Sequence, residues 1–498
     1  MPKGYYLLFL VGILLLCLFF RAYRLESFYG FGHDQDLFAW IARDIVVDKH
    51  FRLLGQETSI NGVFIGPLFY YLVASVFFVF NMDPRSANLV TLFVSLLTVF
   101  SLYFVIAKFF GKKAGLFAAF FYSVSLGAAF FDRWVVPTQL TLLWSIWYIF
   151  VLFSILAGNF RKTLPVMAVL VGLIWHIHIA FIPLLLVLPL ALWFSKKTNS
   201  GLSLWPSLRE LILCGVIVLV LTSPLLVSEG RHNFQQFRSI FGSTTEDRGN
   251  VKGVDRLFKV FDASSRSLSV AVIYKQGLLE GFWQVYATFV LALIFAFILR
   301  IKNILNKQQA IILGFWVGVV LLAQFISKRQ ISEYYFENLV AILFLIFGLF
   351  TSYLFSFAKY RPVIILFLAS YLVINLSTFL SLPAAYDNYG DRKNIVEFIK
   401  KDAQNNGYPC VGINYIADRG TEVGFRYLLW YYGLDIVKPS NLVPVYNIAI
   451  PWTYANPTEL SYRSGYFGLI VPKKREIKDS SVCSDPNYQF LPLSGFVN

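Results

Sequence analysis

Gly32-His33-Asp34-Gln35-Asp36 sets an imidazole and two carboxylates side by side within the stretch Phe28–Gly66, just beyond the apolar run Tyr5–Phe20. None of the remaining apolar segments carries a comparable cluster. Ionisable groups at the edge of a membrane are costly to keep there, so such a cluster is a functional candidate. The plainer reading is a solvated acidic loop. The sharper one is a catalytic carboxylate at the outer membrane surface.

That reading needs a membrane, and the composition supplies one. The 498 residues are 57% hydrophobic and 14% charged, with a mean hydropathy of +0.63. Soluble domains carry about 25% charged residues, so the chain reads as an integral membrane protein. The net charge of +15 is not a nucleic-acid signature. Most Lys and Arg sit in short segments between apolar runs, as membrane orientation requires. The 18% aromatic content fits lipid contact and interfacial belts. Lys3 precedes an apolar core, but Phe19-Phe20-Arg21 is no small-residue cleavage site, so the first run reads as a retained span.

Eleven runs read as spans: about 5–21, 87–107, 115–131, 138–157, 165–177, 179–195, 210–228, 282–299, 308–326, 335–356 and 362–381. One set of alternate segments holds Lys3, Lys108, Lys112, Lys113, Arg161, Lys162, Lys196, Lys197, Arg209, Arg300, Lys302, Lys307, Lys359 and Arg361. The short segments of the other set hold Arg133, Lys328 and Arg329. The positive-inside rule makes the first set cytoplasmic, against the dissent of Arg21 and Arg24. The same rule makes Pro67–Phe80 an interfacial helix rather than a span, and folds 164–195 into a hairpin turning at Trp175–His178. The outer segments are then the first loop 22–86, the segment 131–137, the hairpin turn, the long loop 229–281, the segment 327–334 and the tail. The long loop, with Ser243–Asn250 at its centre, is expected to be mobile. The tail alternates helical stretches, 392–404 and 422–432, with strand-like 410–413, 435–437 and 467–471, which predicts a small α/β domain. Cys410 and Cys483 both lie in it; an extracytoplasmic tail permits a disulfide between them, and spacing does not decide it.

The distinctive polar groups collect on this outer side. They are His33, Asp34, Gln35 and Asp36; Asp132 and Arg133; His176 and His178; Glu229, Arg231 and His232; and Lys328, Arg329, Glu333 and Tyr335. A carboxylate takes the proton of an attacking hydroxyl. Cations hold a phosphate leaving group. Arg231, Lys328 and Arg329 are the candidate phosphate ligands, with His232 and Tyr335 beside them. His33, Gln35, Asp132, Arg133, His176, His178, Glu229 and Glu333 are candidates for substrate contact. Plainer roles exist for several: hydrogen bonding within the hairpin for the two His, pairing with Asp132 or snorkelling for Arg133, and interface anchoring for Lys328 and Arg329. No metal site is assigned, since His176 and His178 are two apart where a helical ligand pair wants four. A divalent cation is left open, and no nucleic acid is expected as a partner.

The order of motifs resembles the GT-C fold glycosyltransferases of the protein O-mannosyltransferase and lipid A aminoarabinose transferase type, over about residues 5–381. The matching pieces are Arg21 and Arg24-Leu25 after the first span, Asp34-Gln35-Asp36-Leu37-Phe38, and Gly66-Pro67-Leu68-Phe69-Tyr70-Tyr71. Ser223-Pro224-Leu225-Leu226, then Glu229, Arg231-His232-Asn233-Phe234 and Tyr334-Tyr335, complete the set. The resemblance implies an α-helical polytopic membrane protein of about eleven transmembrane helices plus juxtamembrane helices. Residues 1–383 would be its catalytic part and 384–498 the small extracytoplasmic α/β domain. It further implies a polyprenyl-phosphate-sugar donor in the lipid bilayer, a hydroxyl acceptor, an inverting displacement and a first-loop Asp as general base. The motif position is Asp34. Gln35 stands where the family has Glu, which leaves Asp36 as an alternative base; if 36–48 is helical, Asp36 caps it instead. The expected setting is the cytoplasmic membrane of a prokaryote, N-terminus inside and tail outside. Two competing readings are an O-antigen polymerase or ligase-like enzyme with a diphosphate-linked donor, and a lipid flippase or transporter. The second would call for mid-membrane polar residues and internal pseudo-symmetry, and the sequence has neither.

Overall fold

The computed structural model describes residues 3–58, 60–198, 206–242, 251–274, 282–327, 330–418, 420–473 and 480–488. The chain opens with α1 (Lys3–Ala22) and a single turn, α2 (Leu25–Phe28). The first loop then folds into α3 (His33–Val46) and α4 (Leu68–Val79). At 12 residues α4 spans about 18 Å, too short for roughly 30 Å of hydrocarbon. It packs on α3 and on α5 (Ala87–Phe110), as an interfacial helix should.

The body continues through α6 (Lys112–Val124), α7 (Leu126–Asp132), α8 (Thr141–Leu156), α9 (Phe160–Ile177), α10 (Val187–Thr198) and α11 (Leu208–Arg231). In the segment 229–281 lie α12 (Gln235–Gly242) and α13 (Gly253–Val270). Then come α14 (Phe282–Ile301), α15 (Lys307–Ile326), α16 (Glu337–Ser356) and α17 (Arg361–Ser381). Nine helices among the described residues are long and apolar enough to cross a membrane. Of the eleven runs read as spans, the other two are α6 with α7, and α14, whose apolar stretch is the shorter Val285–Ile301.

The run 115–131 is not one straight helix: α6 and α7 meet at 68°. Ser125 causes the break. Its hydroxyl accepts the Ala128 N–H at 3.0 Å, restarting the helix, and donates to the Ala271 carbonyl at 2.7 Å. The hairpin at 160–198 is present, with the turn at His178. The two helices occupy parts of the segment 229–281, and its centre, Ser243–Asn250, lies outside the described residues.

The tail holds α18 (Tyr389–Asn405), β1 (Val411–Ala417), α19 (Arg426–Tyr431), β2 (Ile436–Val437), β3 (Val445–Ile450), β4 (Tyr462–Ser464) and β5 (Phe467–Ile470). The sheet order is β2-β1-β3-β5-β4, with β1 parallel to β2 and β3 and the β3–β5–β4 ladder antiparallel. The helix expected over 422–432 is only α19, and β3 and β4 are additional. A disulfide joins Cys410 to Cys483. One apolar core runs from α3 and α4 (Leu37, Phe38, Phe69, Tyr70) into the tail (Ile395, Tyr427, Tyr446, Leu469), so the first loop and the tail are packed as one unit.

Candidate active site

The helix α3 begins at the acidic cluster because Gly32 is its N-cap and Gln35 Oε1 accepts the Gly32 N–H at 3.1 Å. Gln35, not Asp36, therefore closes this helix start. The expected helix at 36–48 begins earlier, at His33, and Asp36 is inside its first turn.

The two carboxylates meet different fates. Asp36 is 1% exposed and accepts three tail N–H groups: Tyr427 at 2.7 Å, Gly424 at 3.2 Å and Arg426 at 3.2 Å. Gly424 is held at φ 86°, and a side chain there would strike the Phe31 carbonyl, so only glycine brings its N–H in. Burial raises the Asp36 pKa, and these N–H groups and Arg392 oppose it. Asp34 is half-buried and keeps capacity to accept; among the described residues Gln56 Nε2 donates to it at 3.3 Å. Burial lifts Asp34 above the ordinary carboxylate range, opposed by the His33 charge and the Gln56 hydrogen bond. It lies within electrostatic reach of the Tyr70 and Tyr334 hydroxyls. The buried Tyr70 hydroxyl has no hydrogen-bond partner among the described residues.

Around Tyr334 the second part of the site assembles. Tyr334 donates to the Tyr335 hydroxyl at 3.0 Å, and the His178 ring sits 5.8 Å and 5.3 Å from the two tyrosine rings. Burial pushes His178 down to about 4, so it is neutral near pH 7. Its Nδ1 accepts the Ala180 N–H at 3.1 Å, which fixes the ring at the hairpin turn. Tyr334 also lines a cavity of about 540 Å³ between α7, α13 and the start of α16. Asp132, Glu333, Glu337 and Trp134 line the same cavity. These carboxylates do not converge as metal ligands, and no such group of three occurs among the described residues.

Several other candidates are committed to the scaffold. Asp132 accepts from Arg21 Nε at 2.7 Å and from the Tyr122 hydroxyl at 2.6 Å. Arg133, instead of pairing with Asp132, donates to the Phe20 and Tyr23 carbonyls at 2.9 Å and 2.8 Å. His176 Nε2 meets the Leu221 carbonyl at 2.6 Å and Nδ1 accepts the Leu68 N–H at 3.3 Å, tying α4 to α9 and α11. Glu229 accepts the Gln236 and Phe237 N–H groups at 3.3 Å and so caps α12. His232 Nδ1 lies 2.8 Å from the Ser228 carbonyl at the end of α11, and Arg231 is exposed. Lys328 and Arg329 lie outside the described residues.

No protein-family model matches the chain, and no curated protein matches its sequence. Solved structures do. ArnT from Cupriavidus metallidurans bound to undecaprenyl phosphate superposes with a TM-score of 0.63 over 94% of this chain and 98% of that one, at 12% identity. Its apo form gives 0.59 over the same shares, at 14% identity. The chain has a GT-C fold. An oligosaccharyltransferase from Archaeoglobus fulgidus, tethered with an acceptor peptide, matches at a TM-score of 0.50 and 13% identity, over 86% of this chain and 63% of that one.

Within this GT-C architecture, sequence reasoning missed Gln56, Tyr70 and Glu337. Gln56 carries no signal, because an isolated Gln in a loop is unremarkable. Tyr70 reads as packing, and its ring does pack, 4.7 Å from that of Phe38. Glu337 has a signal: it is a carboxylate at the first turn of an apolar helix.

Proposed function

We propose that the protein is a membrane glycosyltransferase that moves a sugar from a polyprenyl-phosphate donor to a hydroxyl acceptor at the extracytoplasmic face. The observation that carries this reading is the unequal treatment of two neighbouring carboxylates. Asp36 is consumed by three N–H groups, whereas Asp34 is lifted in pKa, half-open and within electrostatic reach of a tyrosine that lines a cavity shared with Asp132, Glu333 and Glu337. That is the environment of a general base. The shared fold with a structure that holds undecaprenyl phosphate supports a lipid-phosphate donor.

In the proposed reaction Asp34 takes the acceptor hydroxyl proton while the oxygen attacks the anomeric carbon. The bond from that carbon to the phosphate oxygen breaks, polyprenyl phosphate leaves, and the configuration inverts. Lys328, Arg329 and Arg231 are proposed to hold the leaving phosphate, with His232 and Tyr335 near it. Residues 1–383 would carry the chemistry and 384–498 the outer domain. The Lys and Arg distribution and the Cys410–Cys483 disulfide support a tail outside the cytoplasm, and with it an N-terminus inside. The test is release of undecaprenyl phosphate from a panel of undecaprenyl-phosphate sugars by membranes carrying the protein. Release that is the same with and without the protein would refute the reading.

A further inference from the structure

The tail sheet has a topological switch point. From the carboxyl end of β1 the chain passes through α19 to β2 on one side, while β3 lies on the other side of β1. In sheets built on parallel strands, ligands sit in the crevice outside the carboxyl ends at such a point. Here that crevice exists, with a volume of about 210 Å³. Asp418 enters it from the end of β1 and Pro451 from the end of β3, with Arg392, Asp387, Tyr386 and Tyr466 around them.

Its polar groups are set for a ligand. Arg392 is 3% exposed, yet its Nε–H has no hydrogen-bond partner among the described residues. One Nη donates to the Val423 carbonyl, and the guanidinium is held 4.8 Å and 4.6 Å from the Phe425 and Phe467 ring centres. Asp418 is exposed and fixed by the Tyr454 hydroxyl at 2.6 Å. Among the described residues of the lining two carboxylates face one cation, an excess that disfavours an anion. Exposed Tyr386 and Tyr466, with ring centres 5.7 Å apart, offer amphipathic faces. Hydroxyl groups satisfy both sets at once, accepting from a guanidinium and donating to carboxylates, and a pyranose or furanose ring has apolar C–H faces for the tyrosines.

We infer that this crevice of the tail is a binding site for an uncharged saccharide. The ligand class rests on the crevice itself, not on the transfer reaction. Gly32, which also lines it, is the N-cap of α3, so the bound sugar would lie beside the start of the helix that carries Asp34.

The full-length protein in nanodiscs would be titrated with neutral methyl hexosides and methyl pentosides, and with methyl glucuronide as the anionic probe, following tryptophan fluorescence. Saturable binding of at least one neutral glycoside is expected. Asp418→Asn and Tyr466→Ala should each weaken it about tenfold, the effect of one lost charge-assisted hydrogen bond or ring contact. Asp34→Asn should bind as the native protein does. Both substituted crevice residues reach solvent, so neither variant removes core packing. The inference is overturned if no neutral glycoside binds, if both crevice variants bind unchanged, or if the glucuronide binds more tightly than every neutral probe. Sugar transfer measured on the same preparations keeps the two readings separate: transfer that persists without glycoside binding sinks this inference alone.

Discussion

The Asp36 carboxylate accepts the Tyr427 N–H at 2.7 Å, joining residues 391 positions apart. Together with the Gly424 and Arg426 N–H groups it fastens the tail onto the first loop. Asp36→Ala removes the acceptor of three N–H groups, two of them buried, so a loss of roughly 3 kcal/mol is expected. Asp36→Asn retains one acceptor oxygen and should cost less. Thermal unfolding and chymotrypsin cleavage at Tyr386, between α17 and α18, measure this. Transfer per folded molecule should survive in Asp36→Asn.

Arg21, Asp132 and Tyr122 form a second buried polar unit, linking α1, α6 and α7. Arg21 is 4% exposed and also donates to the Ser123 and Tyr122 carbonyls. Removing one member of a buried ion pair strands the other, at a cost of about 3–5 kcal/mol. Arg21→Ala should therefore lower the unfolding temperature sharply. Arg21→Met combined with Asp132→Leu should lose much less than the two single changes added together. Equal and additive losses would mean the pair is not coupled.

This pair also explains what the sequence hid. Arg21 and Arg24 speak against the positive-inside pattern, but neither is a free loop charge: Arg21 is paired, and Arg24 donates to the Leu382 carbonyl at 2.9 Å. The apolar runs were legible because hydropathy alone sets the spans. The interfacial helix α4 was legible because its length and the loop charges agree. The break at Ser125 was not, since it depends on the Ala271 carbonyl, just past α13 and far along the chain. The division of labour between Asp34 and Asp36 rests on amides 388–391 residues away. No local pattern announces such a contact. The short strands β3 and β4 were missed because they gain their register from β1 and β5 rather than from their own composition.

The Cys410–Cys483 bridge closes a separation of 73 residues. Cross-linking a loop of that length stabilises by about 4 kcal/mol in the chain-entropy account. Cys410→Ala with Cys483→Ala should reduce the tail's resistance to protease while leaving the membrane helices intact. Alkylation of intact cells under non-reducing conditions, read by mass shift, should leave both thiols unmodified. Two alkylated thiols would place the tail in a reducing compartment and reverse the proposed orientation.

Burial holds Asp34 above the ordinary carboxylate range, against the opposing pull of His33 and Gln56. A base acts only when deprotonated. Transfer should therefore be full above the raised value and fall as the pH drops through it, with the acid limb of kcat/KM above the usual carboxylate position. Gln56→Leu removes a hydrogen bond that favours the charged form, so the limb should move to still higher pH. A limb that moves down instead would contradict the assignment of this step to Asp34.

The account's central claim is that Asp34 is the base and Asp36 the fastener. The most direct measurement is undecaprenyl-phosphate release from the active donor by purified Asp34→Asn and Asp36→Asn proteins, each normalised to folded protein. General-base catalysis is worth roughly two to four decades in rate. The expected result is a loss of that size in Asp34→Asn with an unchanged unfolding temperature, beside a destabilised but active Asp36→Asn. An active Asp34→Asn protein next to a well-folded, inactive Asp36→Asn protein would contradict it.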